Sequence, residues 1–159
     1  MTISPEIEVS RETVIREATI SDLPKLSSLG LKFHASANLG NFAISDFCAL
    51  WERFFAIDFG VIFVAECNGE IVGSIGGVIH PRPYDLKGPL VAEEFFWFVQ
   101  PDARGCGIDL YRKFEEWAKR RGAVELQMCH LIDSMPEKLE RFYKHEGYSL
   151  IEKRYAKTL

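Results

Sequence analysis

The most constraining feature of this chain is the run at residues 92–99, Ala-Glu-Glu-Phe-Phe-Trp-Phe-Val, which is apolar on both of its alternating faces. Strict alternation predicts one face with Glu93, Phe95, Trp97 and Val99 and a second face with Glu94, Phe96 and Phe98. A strand with bulky apolar side chains on both faces is covered on both sides. The run is therefore predicted to be a central strand, with further layers packed on each face of its sheet.

The pattern around this strand alternates between the two regular periods. Strands are predicted at 13–18, 61–65, 71–79, 124–129 and 148–155, and helices at 24–33, 45–55, 105–121 and 136–146. The first helix is expected to be capped by Ser21 or Asp22. This order predicts an α/β (α+β) fold with a mixed central sheet flanked by helices. It forms a single domain over residues 1–159, in which 1–11 are a flexible N-terminal extension.

Glycine and proline predict the connections between the strands. Asn68-Gly69 is a two-residue hairpin signal. Glycines at 73, 76 and 77 inside a strand pattern indicate a bulge or a close backbone approach. Residues 80–85, which hold two prolines, are predicted to be a loop.

Composition and charge exclude several classes of protein. Hydrophobic residues make up 47% and charged residues 26% of the chain, and the net charge is −4, so a nucleic-acid partner is not expected. The four cysteines and four histidines lack the spacing of a metal site. No signal peptide or run of about 18 apolar residues is present, so we expect no membrane partner and a cytoplasmic location.

The 12 phenylalanines are more than the 5 tyrosines and 3 tryptophans together, and most of their rings are expected to be buried. Several follow helical spacing in the second predicted helix, whose stripe is expected to be core or the wall of a cleft rather than a specific ligand-binding box. That stripe consists of Phe47, Leu50, Trp51, Phe54 and Phe55.

Residues 99–108, Val-Gln-Pro-Asp-Ala-Arg-Gly-Cys-Gly-Ile, read as strand, glycine turn and helix. Gly105 and Gly107 allow a ligand to approach the backbone. The first N–H groups of the helix and the charge of Arg104 favour an anion such as a pyrophosphate. A Walker A loop is absent, and the third glycine of a dinucleotide fingerprint would fall at Leu110.

The element Pro101-x-x-Arg104-Gly105-x-Gly107-Ile108 resembles the acetyl-CoA signature of the GCN5-related N-acetyltransferases, the GNAT superfamily. The segment from Phe142 to Tyr148 resembles a second motif of that family, F-Y-x-x-x-G-F/Y, and the order of elements is similar over residues 12–158. The chain departs from the family pattern at Asp102 and Asp109, where Gln or Arg and Gly or Ala are usual.

The resemblance implies how acetyl-CoA, the expected cosubstrate, would bind. Backbone N–H groups would hold its pyrophosphate, and the strand before the turn would separate from its neighbour and pair with the pantetheine arm. The first role falls on Arg104, Gly105, Cys106, Gly107, Ile108 and Asp109, and the second on Trp97 and Val99. No metal is expected to take part.

The resemblance also implies the catalytic groups of acetyl transfer to a primary amine. Glu93 stands where the histone-acetylating branch keeps its glutamate base, and neighbouring aromatic rings would raise its pKa by desolvation. Glu94 is the next choice, acting through a water. Tyr143 matches the tyrosine that protonates the CoA sulfur.

The amine acceptor is left open, and it is either a small molecule or a protein. Segments 34–59 and 81–87 are expected to build its site. Glu52, Asp58 and Asp85 there favour a cationic amine, whereas Arg53 and Arg82 oppose it. A homodimer is one option for the assembly. The alternative function is a catalytically weak or inactive GNAT-fold module that binds CoA or a protein partner.

Overall fold

The computed structural model describes residues 12–37, 40–103 and 105–159, so the predicted extension at 1–11 and Arg104 lie outside the described residues. The strands are β1 (Thr13–Glu17), β2 (Gly60–Cys67), β3 (Glu70–Arg82), β4 (Asp85–Val99) and β5 (Ala123–Gln127). The helices are α1 (Leu23–Ala37), α2 (Ile44–Phe54), α3 (Cys106–Arg120) and α4 (Pro136–His145). The chain divides into two compact units, Met1–Cys129 and His130–Leu159.

The first unit contains a five-stranded sheet in the order β1-β2-β3-β4-β5. The first four strands are antiparallel neighbours, and β5 pairs with β4 in the parallel direction. The predicted mixed sheet flanked by helices is confirmed, with β4 paired on both of its edges.

Helices cover both faces of this sheet. On one face, α3 packs Leu110 and Phe114 against Ala65 and Ile75. On the other face, α1 packs Leu26 against Val64, and aromatic side chains of α2 complete that layer. Alternating residues of β2 therefore belong to two separate cores, as expected of a strand buried on both sides.

An ionic cluster holds the start of α1 against the sheet. Arg16 donates hydrogen bonds to both Asp22 and Glu66, and this contact lowers the pKa of Asp22 to about 2. Asp22 also accepts a hydrogen bond from the backbone N–H of Thr19, 2.8 Å away. The N-cap is therefore Thr19, and it caps a 3₁₀ turn that precedes α1. The prediction of Ser21 or Asp22 as the cap is wrong.

Of the two predicted connections on either side of β3, one is confirmed and one is wrong. Asn68 and Gly69 have φ values of 53° and 80°, so the predicted tight turn between β2 and β3 is confirmed. The loop predicted at 80–85 is wrong, because β3 continues to Arg82 and pairs there with Asp85 of β4. A register shift at Pro81 accommodates the proline, and the β2 ladder has already ended at Val78.

A bulge in β4 makes the predicted alternation of residues 92–99 wrong. Gly76 pairs with Phe96 and Gly77 pairs with Glu94, so Phe95 is the extra residue. Glu94 therefore lies on the face of Trp97, whereas Glu93 lies on the opposite face with Phe96. The bulge predicted from the glycines is confirmed.

The second unit contains α4, whose end has the predicted glycine cap. Gly147 has a φ of 88°, and the N–H of Tyr148 donates to the carbonyl of Tyr143 at 2.9 Å. The strand predicted at 148–155 is wrong, since residues 148–159 have no regular secondary structure. Leu150 and Ile151 are adjacent and both exposed, and three charged residues follow them, so no single apolar face exists to bury.

Replacing Gly77 by alanine is expected to destabilise the protein by about 1–3 kcal/mol. A β-carbon at Gly77 would overlap the Glu93 carbonyl oxygen and lie 2.8 Å from the Phe114 ring. In the matched variant Gly107→Ala, the added carbon would meet Val99 at an ordinary 3.5 Å. Urea unfolding of both variants checks the expectation, and equal midpoints would contradict the close approach.

Candidate active site

The glycine turn joins the end of β4 to the start of α3. Gly105 precedes the helix with a φ of 104°, a conformation that L side chains rarely adopt. It carries no side chain that could cap the helix, and a β-carbon built on it would have nothing within 4 Å. Gly105 thus supplies no side-chain cap to α3, and a helix N-terminus of this kind favours an anion.

The structure brings the predicted cofactor-binding residues of β4 and α3 together. A β-carbon on Gly107 would lie 3.5 Å from Val99 and 3.8 Å from Trp97, so the start of the helix packs close to the end of the strand. Ile108 is exposed, and so is Asp109, which is the acidic residue of the first helical turn.

Cys106 points away from this turn and into the core. Its Sγ donates to the carbonyl of Ala103 at 3.3 Å, and burial raises the pKa of the thiol. The side chain is thus a packing group, and only the backbone of Cys106 remains for contact with a ligand.

The pairing of β4 with β5 ends well before the end of β4. The parallel ladder runs from Leu90 opposite Ala123 to Glu93 opposite Gln127. One residue further, the Glu94 carboxylate accepts a hydrogen bond from the backbone N–H of Cys129 at 3.1 Å. A side chain therefore occupies the position where the next backbone contact between the strands would form.

Glu94 is a buried carboxyl, with 4% of its surface exposed. Burial raises its pKa to about 7, although hydrogen bonds from Cys129 act in the opposite direction. Both the charged and the neutral form of Glu94 are thus populated near neutral pH.

Glu93, on the other face, is half-buried and contacts a histidine. Its Oε2 lies 3.1 Å from Nε2 of His80, whose Nδ1 lies 2.8 Å from the carbonyl oxygen of Pro81. These two contacts orient the His80 ring between the Pro81 carbonyl and the Glu93 carboxylate. His80 was not among the predicted site residues. It lies beside Glu93 because β3 extends through it to Arg82.

Tyr143 lies in α4 of the second unit and is buried. Within that unit its ring stacks on His130 at 6.0 Å between centroids and contacts Tyr148 at 5.4 Å. The predicted acid is thus part of an aromatic cluster that includes the last residue of its motif.

An aromatic cavity of about 310 Å³ lies on the sheet face covered by α1 and α2. Its wall includes Phe47, Trp51, Phe95, Phe96 and Phe98 together with His34. The expectation that most phenylalanines are buried needs correction here, since Phe95 is 50% exposed and Phe47, Phe96 and Phe98 are half-buried. They line a cavity, as the cleft-wall interpretation of the second helix predicted. His34 belongs to the segment 34–59 that the sequence assigns to the acceptor site, and it lies in α1, which continues past the predicted end at residue 33 to Ala37.

Within residues 12–37, 40–103 and 105–159, no group of three His, Cys, Asp or Glu side chains is placed to hold a metal ion. None of the described helices has the length and apolar character needed to cross a membrane.

Residues 33–148 match the sequence model of the acetyltransferase (GNAT) family. This segment holds β4, the glycine turn, α3 and the Phe142–Tyr148 motif, so the chain belongs to the GNAT acetyltransferase family. A search of curated protein sequences gave no match.

Solved structures share this fold at low sequence identity. A transcriptional regulator from Bacillus halodurans C-125 superposes with a TM-score of 0.78 at 22% identity, covering 93% of this chain and all of that one. An aminoglycoside acetyltransferase from an uncultured soil metagenomic sample, in complex with sisomicin, gives 0.73 at 20% identity, with 92% and 97% covered. A predicted acetyltransferase from Clostridium acetobutylicum with acetyl-CoA gives 0.73 at 17% identity, with 92% and 96% covered.

The raised pKa of Glu94 predicts a pH-dependent stability. The folded state binds its proton more tightly than the unfolded state, whose carboxyl titrates near 4.5. The stabilisation is complete below that value and is lost as the pH rises through about 7. Wild type is therefore expected to lose up to about 3 kcal/mol between pH 4.5 and 8 relative to Glu94→Gln.

Urea unfolding of both proteins across this range measures the difference. Glu116→Gln, an exposed change on α3, is the control and should follow wild type. Parallel stability curves for wild type and Glu94→Gln would show that Glu94 does not titrate as described.

Proposed function

We propose that the protein is an N-acetyltransferase that moves the acetyl group of acetyl-CoA directly to a primary amine. The observation that carries this proposal is the junction of β4 and α3. There a glycine with a φ of 104° starts a helix beside the stretch of β4 that extends beyond the β5 ladder. Membership of the GNAT family and the fold shared with acetyltransferases support the same activity.

In this proposal the pyrophosphate of acetyl-CoA binds at the first turn of α3. The backbone N–H groups of residues 104–109 meet its charge, with the guanidinium of Arg104 beside them. Trp97 and Val99 border the pantetheine arm, and Gly107 lies beside them at the start of α3. The open surroundings of a β-carbon on Gly105 and the closeness of Gly107 to Val99 and Trp97 support a single binding region at this junction.

Glu93 is the proposed base. It takes a proton from the acceptor ammonium, and the contact with His80 at 3.1 Å orients its carboxylate. The amine nitrogen then forms a bond to the thioester carbonyl carbon, the carbon–sulfur bond breaks, and the nitrogen loses its second proton as the amide forms. Tyr143 gives a proton to the departing thiolate and is reprotonated by the proton that the nitrogen loses, so the products are an N-acetyl amine and CoA.

Glu94 remains the second candidate for the base. Its pKa of about 7 suits proton transfer at neutral pH, but its carboxylate is buried and bonded to Cys129 on the α3 face. Glu93 is favoured because it is more accessible and lies on the face of the aromatic cavity.

Acetyl-CoA binding is expected to depend on the small side chain at position 107, beside Val99 and Trp97. The variant Gly107→Val places two methyl groups between β4 and α3 and should weaken binding about tenfold or more, whereas Gly107→Ala should have a smaller effect. Isothermal titration calorimetry with acetyl-CoA measures both variants against wild type. Absence of any heat with the wild-type protein would contradict cosubstrate binding.

Catalysis is expected to depend on Glu93 and Tyr143. Glu93→Gln should lower kcat by about 10²–10⁴-fold, because it removes the base without changing the shape of the side chain. Tyr143→Phe should also lower kcat, while acetyl-CoA affinity stays constant. Thiol release measures turnover, and Glu116→Gln is the control. Full turnover in both variants would refute these roles, and a loss confined to Glu94→Gln would transfer the base to Glu94.

The alternative, a GNAT-fold module that binds CoA or a protein partner without turnover, is supported by one observation. Asp109 places a negative charge in the first turn of α3, where it competes with a bound anion for the helix N-terminus. Acetyl transfer to any amine excludes this alternative.

A further inference from the structure

The aromatic cavity has the chemistry of a site for a flat apolar group. Its volume is about 310 Å³, and its wall combines phenylalanines from β4 and α2 with Trp51. Trp51 meets Phe96 edge-on at 4.9 Å and Phe47 at 5.8 Å between ring centroids. A guest ring would find the same edge and face contacts that these rings make with one another.

Charged groups are excluded from this wall. None of the described residues that line the cavity is acidic or a lysine or arginine. The residues expected to attract a cationic acceptor, Glu52, Asp58 and Asp85, are not part of it. An acceptor with several charges would therefore lose hydration there without gaining a partner.

Ser74 and His34 are polar side chains of the cavity wall, and they differ in whether they have a hydrogen-bond partner. Ser74 is already engaged, since its hydroxyl donates to the carbonyl of Phe63 at 3.0 Å. Nδ1 of His34 is buried and has no hydrogen-bond partner among the described residues. The His34 ring packs against Phe42 at 4.8 Å, so its position is held by the same aromatic layer. Leaving this nitrogen unpaired is unfavourable, and a hydrogen-bonding group on a guest would relieve that cost once the His34 ring turns toward the cavity.

The proposed base lies on the same sheet face as the cavity. Glu93 pairs with Val78, and Phe96 pairs with Gly76. These rungs are two residues apart on β3, which corresponds to about 7 Å. A short alkyl arm therefore spans the distance between a ring held in the cavity and an amine at Glu93.

We propose that the acceptor is an arylalkylamine, a primary amine joined by a short alkyl arm to one aromatic ring with a hydrogen-bonding substituent such as a hydroxyl. The ring occupies the aromatic cavity, the substituent meets His34, and the amine extends to Glu93. This assignment rests on the proposed function and names its substrate class.

The test compares amines of different chemistry as acetyl acceptors. Phenethylamine and tyramine should have kcat/KM values about tenfold or more above those of spermidine, a free amino acid and an aminoglycoside. The variant Leu50→Glu places a carboxylate at the cavity wall, where Leu50 is 63% exposed, and should raise KM for both arylalkylamines with little change in kcat. Leu31→Glu is the matched control, because Leu31 is an exposed helical leucine outside the cavity.

The role of His34 is tested by comparing tyramine, which has a ring hydroxyl, with phenethylamine, which lacks it. His34→Phe keeps a ring in the wall and should remove the preference for tyramine over phenethylamine, whereas His145→Phe, at an exposed site, should preserve it. An unchanged preference in His34→Phe would overturn the contact with His34.

Calorimetric titration of each arylalkylamine in the presence of CoA separates this inference from the proposed function. Saturable binding that Leu50→Glu weakens, without acetyl transfer to any amine, would support the cavity and overturn the transferase activity. Transfer to spermidine, amino acid or aminoglycoside with no preference for arylalkylamines would support the transferase and overturn the cavity assignment. Absence of both binding and transfer would overturn both.

Discussion

The close approach of β3 and β4 at Gly76 and Gly77 is the constraint on which the site depends. A side chain at either position would collide with Phe96 or with the backbone of Glu93, so the strands can pair there only through glycine. The approach occurs where Phe95 is the extra residue of β4. Because of this one inserted residue, Glu94 lies on the α3 face and Glu93 on the face of α1 and α2, which is the reverse of what simple alternation predicts.

The two sheet faces consequently hold different chemistry. The α3 face contains the turn that starts at the end of β4, the tightly packed Phe114 and the buried carboxyl of Glu94. The face of α1 and α2 contains the aromatic cavity and the partly exposed side chains of Glu93 and His80. One strand thus contributes a group to each layer, with the helix N-terminus on one side and the apolar wall on the other.

Much of this arrangement could be predicted from local patterns. The double apolar face of residues 92–99 required a central strand, and Asn68-Gly69 and Gly147 determined their turns through backbone chemistry alone. The glycines of β3 predicted that a bulge exists. They did not predict that Phe95 would be the inserted residue, because a bulge is a property of two paired strands. For the same reason the strand predicted at 148–155 has no partner in the described structure. His80 was predicted to lie in a loop, although the hairpin pairing extends beyond it.

The shallow attachment of α2 has a thermodynamic consequence. No residue of this helix is fully buried, and Phe47, Trp51 and Phe54 hold it through partly exposed rings. A helix of eleven residues has little stability of its own, so its order depends on those rings. Whatever fills the space beneath them adds contact area to the helix and slows its local opening. Amide hydrogen exchange in α2 therefore reports the occupancy of the sheet face below it more directly than any other helix of the first unit.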